Sequence, residues 1–176
     1  MKQALEQARK VGKQGEVPIG AAIVRNDTIS SASDQVYTLL SAQANQVETR
    51  SDASAHAELV SLRQAAARQR NWRLLNCTLY STLEPCAMCL SAALAFRIDS
   101  IVYGAPDLRL GAIVTHQQLL NQSHPFHAIS AVVSGVLEEE SAELLRNFFR
   151  ERRQQQGSQV RRPVSGKNFL WKLRKH

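Results

Sequence analysis

The chain has little of what a secreted or membrane protein needs. Three cysteines among 176 residues are too few, and odd in number, for a disulfide framework, and they point to a reducing compartment. No apolar run approaches the roughly 20 residues of a membrane span, so no membrane partner is expected. Met1-Lys2-Gln3-Ala4-Leu5 lacks the apolar centre of a signal peptide. A cytoplasmic protein is expected, or one of an organelle stroma, since a cleaved targeting segment would leave no trace in a mature chain. Internal repeats are absent, and the length suits one core. Acidic residues are scarce at one end only. Residues 1–145 carry 12 Lys/Arg against 14 Asp/Glu, whereas residues 146–176 carry 10 against the single acid Glu151. The whole basic excess therefore sits at the C-terminus, where a polyanion would meet it first; such composition also suits a solvated tail with no partner.

Hydrophobic residues make up 44% and charged residues 21%, an ordinary globular balance. Ala4, Leu5, Ala8 and Val11 fall at helical spacing, which predicts an amphipathic first helix ended by Gly12 and Gly15. Ile19 to Val24 reads as a buried strand. Asn26-Asp27 signals a turn, so Thr28 to Ser33 is expected to return as its hairpin partner. The polar stretch 34–54 reads as a long loop, with a short helix near Tyr37 to Ala44. Ala55 to Arg70 reads as a helix, Thr78 to Leu83 as a strand, Cys86 to Phe96 as a helix and Ile98 to Gly104 as a strand. Ala128 to Val133 reads as a fifth strand and Glu139 to Arg152 as a last helix. Gln154-Gln155-Gln156-Gly157-Ser158 looks like a linker. Strands alternating with helices argue for an α/β sandwich, with a domain over 1–153 and a basic tail over 154–176.

The chemistry is carried by two short segments. Cys86 and Cys89 stand about one helical turn apart at the start of a helix, so their thiolates can converge on one ion. His56, at the start of the preceding helix, is the candidate third ligand. Three protein ligands leave one tetrahedral position open, the mark of a catalytic zinc, and no second Cys-x-x-Cys closes the set. Water held there has its pKa lowered to about 7. Glu58, two residues past His56, is the candidate base that takes the water's proton and passes it to a leaving nitrogen. Glu84 reads as a carboxylate that orients its loop, and Cys77, in an apolar stretch, as buried. A structural His/Cys zinc knuckle would leave Glu58 without a task. The combined pattern, His-x-Glu followed by Pro-Cys-x-x-Cys, is the recognised signature of zinc deaminases that act on bases.

With these segments in place the chain resembles the bacterial and plastid tRNA adenosine deaminases, over about residues 1–153. The likeness lies in Glu16-Val17-Pro18-Ile19-Gly20-Ala21, Ser54-Ala55-His56-Ala57-Glu58 and Thr78 to Cys89, with Met88 between the cysteines. It continues through Val102-Tyr103-Gly104-Ala105-Pro106-Asp107, His124-Pro125-Phe126-His127, Gly135-Val136-Leu137 and Asn147 to Arg153. The resemblance implies a cytidine deaminase-like fold, a three-layer α/β/α sandwich on a five-stranded mixed sheet. It implies one zinc per subunit on His56, Cys86 and Cys89, with Glu58 as the proton shuttle. The reaction implied is hydrolytic conversion of the wobble adenosine of a tRNA anticodon to inosine, by a homodimer. Ile19, Ala57, Leu83 and Pro85 would line the base pocket. Asp107, Phe148, Phe149 and Arg150 would meet the anticodon stem-loop, with one of the two phenylalanines also serving the core. His124 and His127 have no metal spacing with the cysteines and read as RNA-contacting or structural.

Some positions depart from the family. Its aromatic-Asn pair after the second strand, whose Asn helps to read the nucleotide, aligns best here with Ser33-Asp34, which makes Asp34 the candidate for that task. An ionised Asp accepts hydrogen bonds but cannot donate them. The segment from Gln35 to Ser54 is about a dozen residues longer than is usual, and Ile113-Val114 replace small residues. Two alternatives stand beside the leading reading. One is a free-base or nucleoside deaminase of the guanine or cytosine type, for which a basic C-terminus has no use. The other is a non-catalytic RNA-binding subunit, which would not need Glu58.

Overall fold

The computed structural model describes residues 1–28, 35–122, 124–125 and 127–160. Its elements are α1 (Lys2–Gly12), β1 (Gly20–Thr28), β2 (Gln35–Ala44), α2 (Val47–Arg50), α3 (Ala57–Gln69), β3 (Cys77–Leu83), α4 (Ala87–Ala95), β4 (Ser100–Ala105), β5 (Ala131–Val133) and α5 (Glu138–Val160). The strands form one mixed sheet in the order β2-β1-β3-β4-β5. β1 pairs antiparallel with β2 and β3, and β3-β4 and β4-β5 are parallel. Helices α1 and α5 cover one face and α3 and α4 the other, which makes the three-layer α/β/α sandwich.

The layers follow from apolar spacing. Ala4, Leu5, Ala8 and Val11 of α1 are all buried, as their periodicity requires. β3 and β4 lie inside the sheet, and Cys77, Leu79 and Ile101 have no exposed surface. The Cys77 thiol is pushed up to about 11, chiefly by burial. Leu62, Ala65, Leu90 and Ala93 of α3 and α4 join these strands in one core. Buried hydroxyls stitch the layers. Ser61 donates to the Ala21 carbonyl at 3.0 Å, and Ser41 donates to the Ser61 carbonyl at 2.8 Å.

The largest departure from expectation is the hairpin. β1 runs on to Thr28, and its partner is Gln35–Ala44, not Thr28 to Ser33. The segment read as a loop with a helix near Tyr37 to Ala44 is therefore an edge strand. Its alternation is blurred by a register shift between Ile23 and Val24, which puts Leu40 and Ser41 both inside. Bulges of this kind break the period of two on which strand recognition depends. Only a short helix, α2, follows β2. The linker-like Gln154 to Ser158 continues α5, which reaches Val160.

Two features aim the site. β1 runs opposite to β3, so the start of β1 and the end of β3 share one edge of the sheet, with Gly20 N–H donating to Thr82 Oγ1 at 3.1 Å. Gly20 also lets α1 lie against β1: a Cβ there would sit 2.0 Å from the Ala4 carbonyl oxygen. Gly20→Ala should cost at least about 1–3 kcal/mol of stability, measured by urea denaturation. An unchanged midpoint would show that α1 does not seat as described.

Candidate active site

The carboxyl end of β3 runs through Leu83-Glu84-Pro85 into α4, and the segment after α2 runs into α3. His56 and Cys86 are the N-cap residues of those two helices, both in extended backbone. Helix N-termini carry partial positive charge, which favours thiolate. Cys89 follows in the first turn of α4 and is fully buried. The ligand atoms of His56, Cys86 and Cys89 lie within 4.8 Å of one another. Nδ1 of His56 is 3.6 Å from both sulfurs. A tetrahedral ion with Zn–S of about 2.3 Å and Zn–N of about 2.0–2.1 Å spaces S and N by about 3.6 Å. The three residues therefore fit zinc through Nδ1 and two Sγ atoms.

The electrostatics agree with that donor set. The Cys86 thiol is pushed down to about 4, chiefly by the hydrogen bond from the Cys89 thiol, with His56 adding to it. Cys89 is pushed up by the same bond and by burial. Bonding to Cys86 pushes the His56 imidazole up. Glu58, in the first turn of α3, is only 4% exposed. Burial pushes its carboxyl up, and Ser81 Oγ donates to its Oε1 at 3.3 Å.

Glu58, His56 and Cys86 line a cavity of about 960 Å³. Ile19, Leu83, Asp107, Phe149 and Arg150 of the expected substrate contacts also line it. Ala57 and Pro85 are instead fully buried behind the site, and neither side chain lines the cavity. Nor does Phe148, which packs edge-on against Phe149 at 5.4 Å and carries the Arg152 guanidinium over its ring at 5.2 Å. His127 has a structural bond, its Nε2 donating to the Ile98 carbonyl at 2.7 Å. Asp34 lies outside the described residues. β2 ends at Ala44, and Asn45 is the residue that follows it. Asn45 lines the cavity, and sequence reasoning missed it because the second strand was placed too early. Its signal was an Asn preceded by a small residue, eleven positions before His56. Arg146 and Arg153 complete the cationic side of the cavity mouth.

Two buried carboxylates hold the two walls. Glu84, 1% exposed, accepts the N–H groups of Asp107, Ile113, Val114 and Thr115 at 2.8–3.2 Å. This is the loop-orienting task its sequence suggested. Gly111 lies so close that a Cβ would sit 2.4 Å from the Glu84 carboxylate. On the other wall Glu16, 2% exposed, accepts Thr49 N–H at 2.7 Å and Asn45 Nδ2 at 3.0 Å. Burial alone would raise the Glu16 carboxyl, but these donors outweigh it and hold it below its ordinary value.

This arrangement defines a class: a zinc-dependent hydrolytic deaminase, with His, Cys and Cys ligands and a buried glutamate beside them. The family model "Cytidine and deoxycytidylate deaminase zinc-binding region" matches residues 1–105. The tRNA-specific adenosine deaminase of Haemophilus influenzae is 40% identical over 155 residues, covering 88% of this chain and 84% of that protein. That of Bacillus subtilis is 40% identical over 153 residues, covering 87% and 88%. The chloroplastic tRNA(adenine(34)) deaminase of Arabidopsis thaliana is 36% identical, over 86% of this chain but 12% of that protein. A structure from studies of A-to-I editing by tRNA:A34 deaminases superimposes with a TM-score of 0.73 at 36% identity, covering 82% of this chain and 97% of that one. The chain belongs to the zinc-binding cytidine and deoxycytidylate deaminase family, within its branch of tRNA-specific adenosine deaminases.

The pH dependence of one wall is predictable. A carboxyl lowered in the folded state contributes stability above its unfolded pKa of about 4.3. That stability is lost as pH falls through the folded value. Glu16→Gln should therefore be less stable than the parent at pH 7 and approach it as pH drops below about 4, read from urea midpoints at both pH values. A gap that stays constant would show that the Glu16 charge is not what holds this wall.

Proposed function

We propose that the protein deaminates the wobble adenosine of a tRNA anticodon to inosine, as a homodimer with one zinc per subunit. One observation carries this reading. His56 and Cys86 of the ligand set line one cavity together with Glu58, Phe149, Arg146, Arg150 and Arg153. A small neutral base needs no such cationic wall, whereas an RNA loop brings phosphates to it. That the relatives from Haemophilus influenzae and Bacillus subtilis are tRNA-specific adenosine deaminases points the same way.

His56, Cys86 and Cys89 would hold the zinc, which when bound would supply a polarised water. Glu58, buried beside these ligands, would hold a proton on its carboxyl and deliver it to the departing amine. Its burial favours the protonated form it must adopt midway. Ile19 and Leu83 present apolar surface to the flipped base, and Asn45, in the place first given to Asp34, reads the nucleotide. Asp107 faces the loop with Phe149 and Arg150. Phe148 backs Phe149. Met88, Leu108, Leu110 and Val114 are large apolar side chains left exposed near this face, and a second copy would cover them. No helix among the described residues is long and apolar enough to cross a membrane, and the unpaired cysteines suit the cytoplasm or an organelle stroma. The domain spans 1–153, and the basic residues beyond it extend the RNA contact.

Zinc-loaded protein incubated with unmodified arginine tRNA bearing an ACG anticodon should yield inosine at the wobble position, read by sequencing. Absence of inosine, with deamination of free guanine or cytidine, would overturn this assignment. Glu58→Ala should lower turnover by at least about 100-fold while zinc content stays at one per subunit. Full activity in that variant would remove Glu58 from the mechanism. Deleting residues 154–176 removes six Lys/Arg and should flatten the salt dependence of tRNA binding, by up to about 4 in slope if each meets a phosphate. An unchanged slope would mean that the tail makes no contact with RNA.

A further inference from the structure

Asn45 is pinned at two points. Its backbone N–H donates to the Ile19 carbonyl at 2.9 Å, and its side-chain Nδ2 donates to Glu16 Oε2 at 3.0 Å. The other Glu16 oxygen accepts Thr49 N–H at 2.7 Å. An ionised carboxylate can only accept, so it admits one orientation of the amide: nitrogen toward Glu16, oxygen away from it. Asn45 is 5% exposed and lines the cavity. Its amide oxygen has no partner among the described residues, so it is the polar atom left to face a bound molecule. Val17 and Ile19, from the segment that carries Glu16, line the same wall, as do Val47 and Glu48 of α2. One buried carboxylate thus ties together three stretches of chain that enclose the substrate.

We infer that Glu16 is a positioning residue that sets substrate recognition by locking the Asn45 amide oxygen-inward, so that this side chain accepts a hydrogen bond from an N–H or O–H of the nucleotide. The inference rests on the nucleotide-binding assignment of the cavity, and it deepens that assignment by stating which hydrogen-bond polarity the wall presents. Glu16 itself touches neither substrate nor zinc; it acts through Asn45. A glutamine at position 16 would still accept Thr49 N–H through its oxygen, and its own –NH2 would then face the –NH2 of Asn45. Two donors cannot pair, and the Asn45 amide would turn over to present nitrogen to the cavity. An aspartate at position 45 would accept from that glutamine and restore an oxygen on the cavity side.

The test compares the zinc-loaded full chain with Glu16→Gln, Asn45→Ala, the two combined, and the swap of Glu16→Gln with Asn45→Asp. On the anticodon stem-loop, Glu16→Gln should raise KM about tenfold with kcat changed less than about threefold. The combined Glu16→Gln, Asn45→Ala variant should match Asn45→Ala alone, because the path runs through Asn45. The swap should recover most of the loss. Additive effects in the combined variant, or no recovery in the swap, would overturn the inference. A structural defect without a role in orientation would lower kcat, KM performance and zinc content together and would not be rescued. A second measurement is independent of turnover. The side-chain NH2 resonances of Asn45, assigned by their loss in Asn45→Ala, should move in Glu16→Gln, and unmoved resonances would sink the proposal. If the parent protein leaves the stem-loop unmodified, the tRNA assignment fails, while these resonances still decide the role of Glu16.

Discussion

Three ligand atoms from two different helix N-termini must meet within 4.8 Å, and most of the architecture answers that requirement. β3 has to lie in the middle of the sheet so that its carboxyl end delivers Pro85-Cys86 to the start of α4. α3 has to cross the same face so that His56 arrives opposite. The packing of Leu62 and Ala65 against Leu79, Leu90 and Ala93 in one core sets that crossing. A shift of an ångström in either helix would break the 3.6 Å spacing from His56 Nδ1 to the two sulfurs.

Around this centre two buried carboxylates do opposite-wall work by the same physics. Each is surrounded by backbone and side-chain donors that outweigh the penalty of burial, and each organises segments that have no regular structure of their own. Glu84 gathers the loop from Asp107 to Thr115, and Glu16 gathers Asn45 and the start of α2. Glu58 is the contrast. It is buried with one side-chain donor, Ser81, so its carboxyl is raised. That difference in donor supply separates Glu58, the proposed proton shuttle, from the two carboxylates that hold a wall.

Much of this was legible in local patterns. The helical spacing of Ala4, Leu5, Ala8 and Val11 named the buried face of α1, and His56, Glu58, Cys86 and Cys89 announced themselves by spacing. The hairpin was not legible. A register shift in β1–β2 put two consecutive residues of the edge strand, Leu40 and Ser41, inside, so the strand has no clean alternation to betray it. With β2 ending at Ala44, the residue that follows it and lines the cavity is Asn45. Ala57 and Pro85 were expected in the pocket from the family resemblance, and both stand next to a ligand in sequence. A neighbour at a helix start points its side chain elsewhere around the axis, and both went into the interior.

The sequence by itself determined the chemistry, because metal ligands and a proton shuttle must be particular residue types at spacings set by one helical turn. It also determined the basic character of the C-terminus, which is a matter of counting. Only the tertiary structure decided which side chains share the cavity. Asn45, Phe149 and Arg150 come together with Glu58 through strand pairing and helix packing across long stretches of chain, and such contacts leave no local period to read. The buried bond between Glu16 and Asn45 spans 29 residues, and the pairing of Gly20 with Ala44 at the start of β1 and the end of β2 brings the two together.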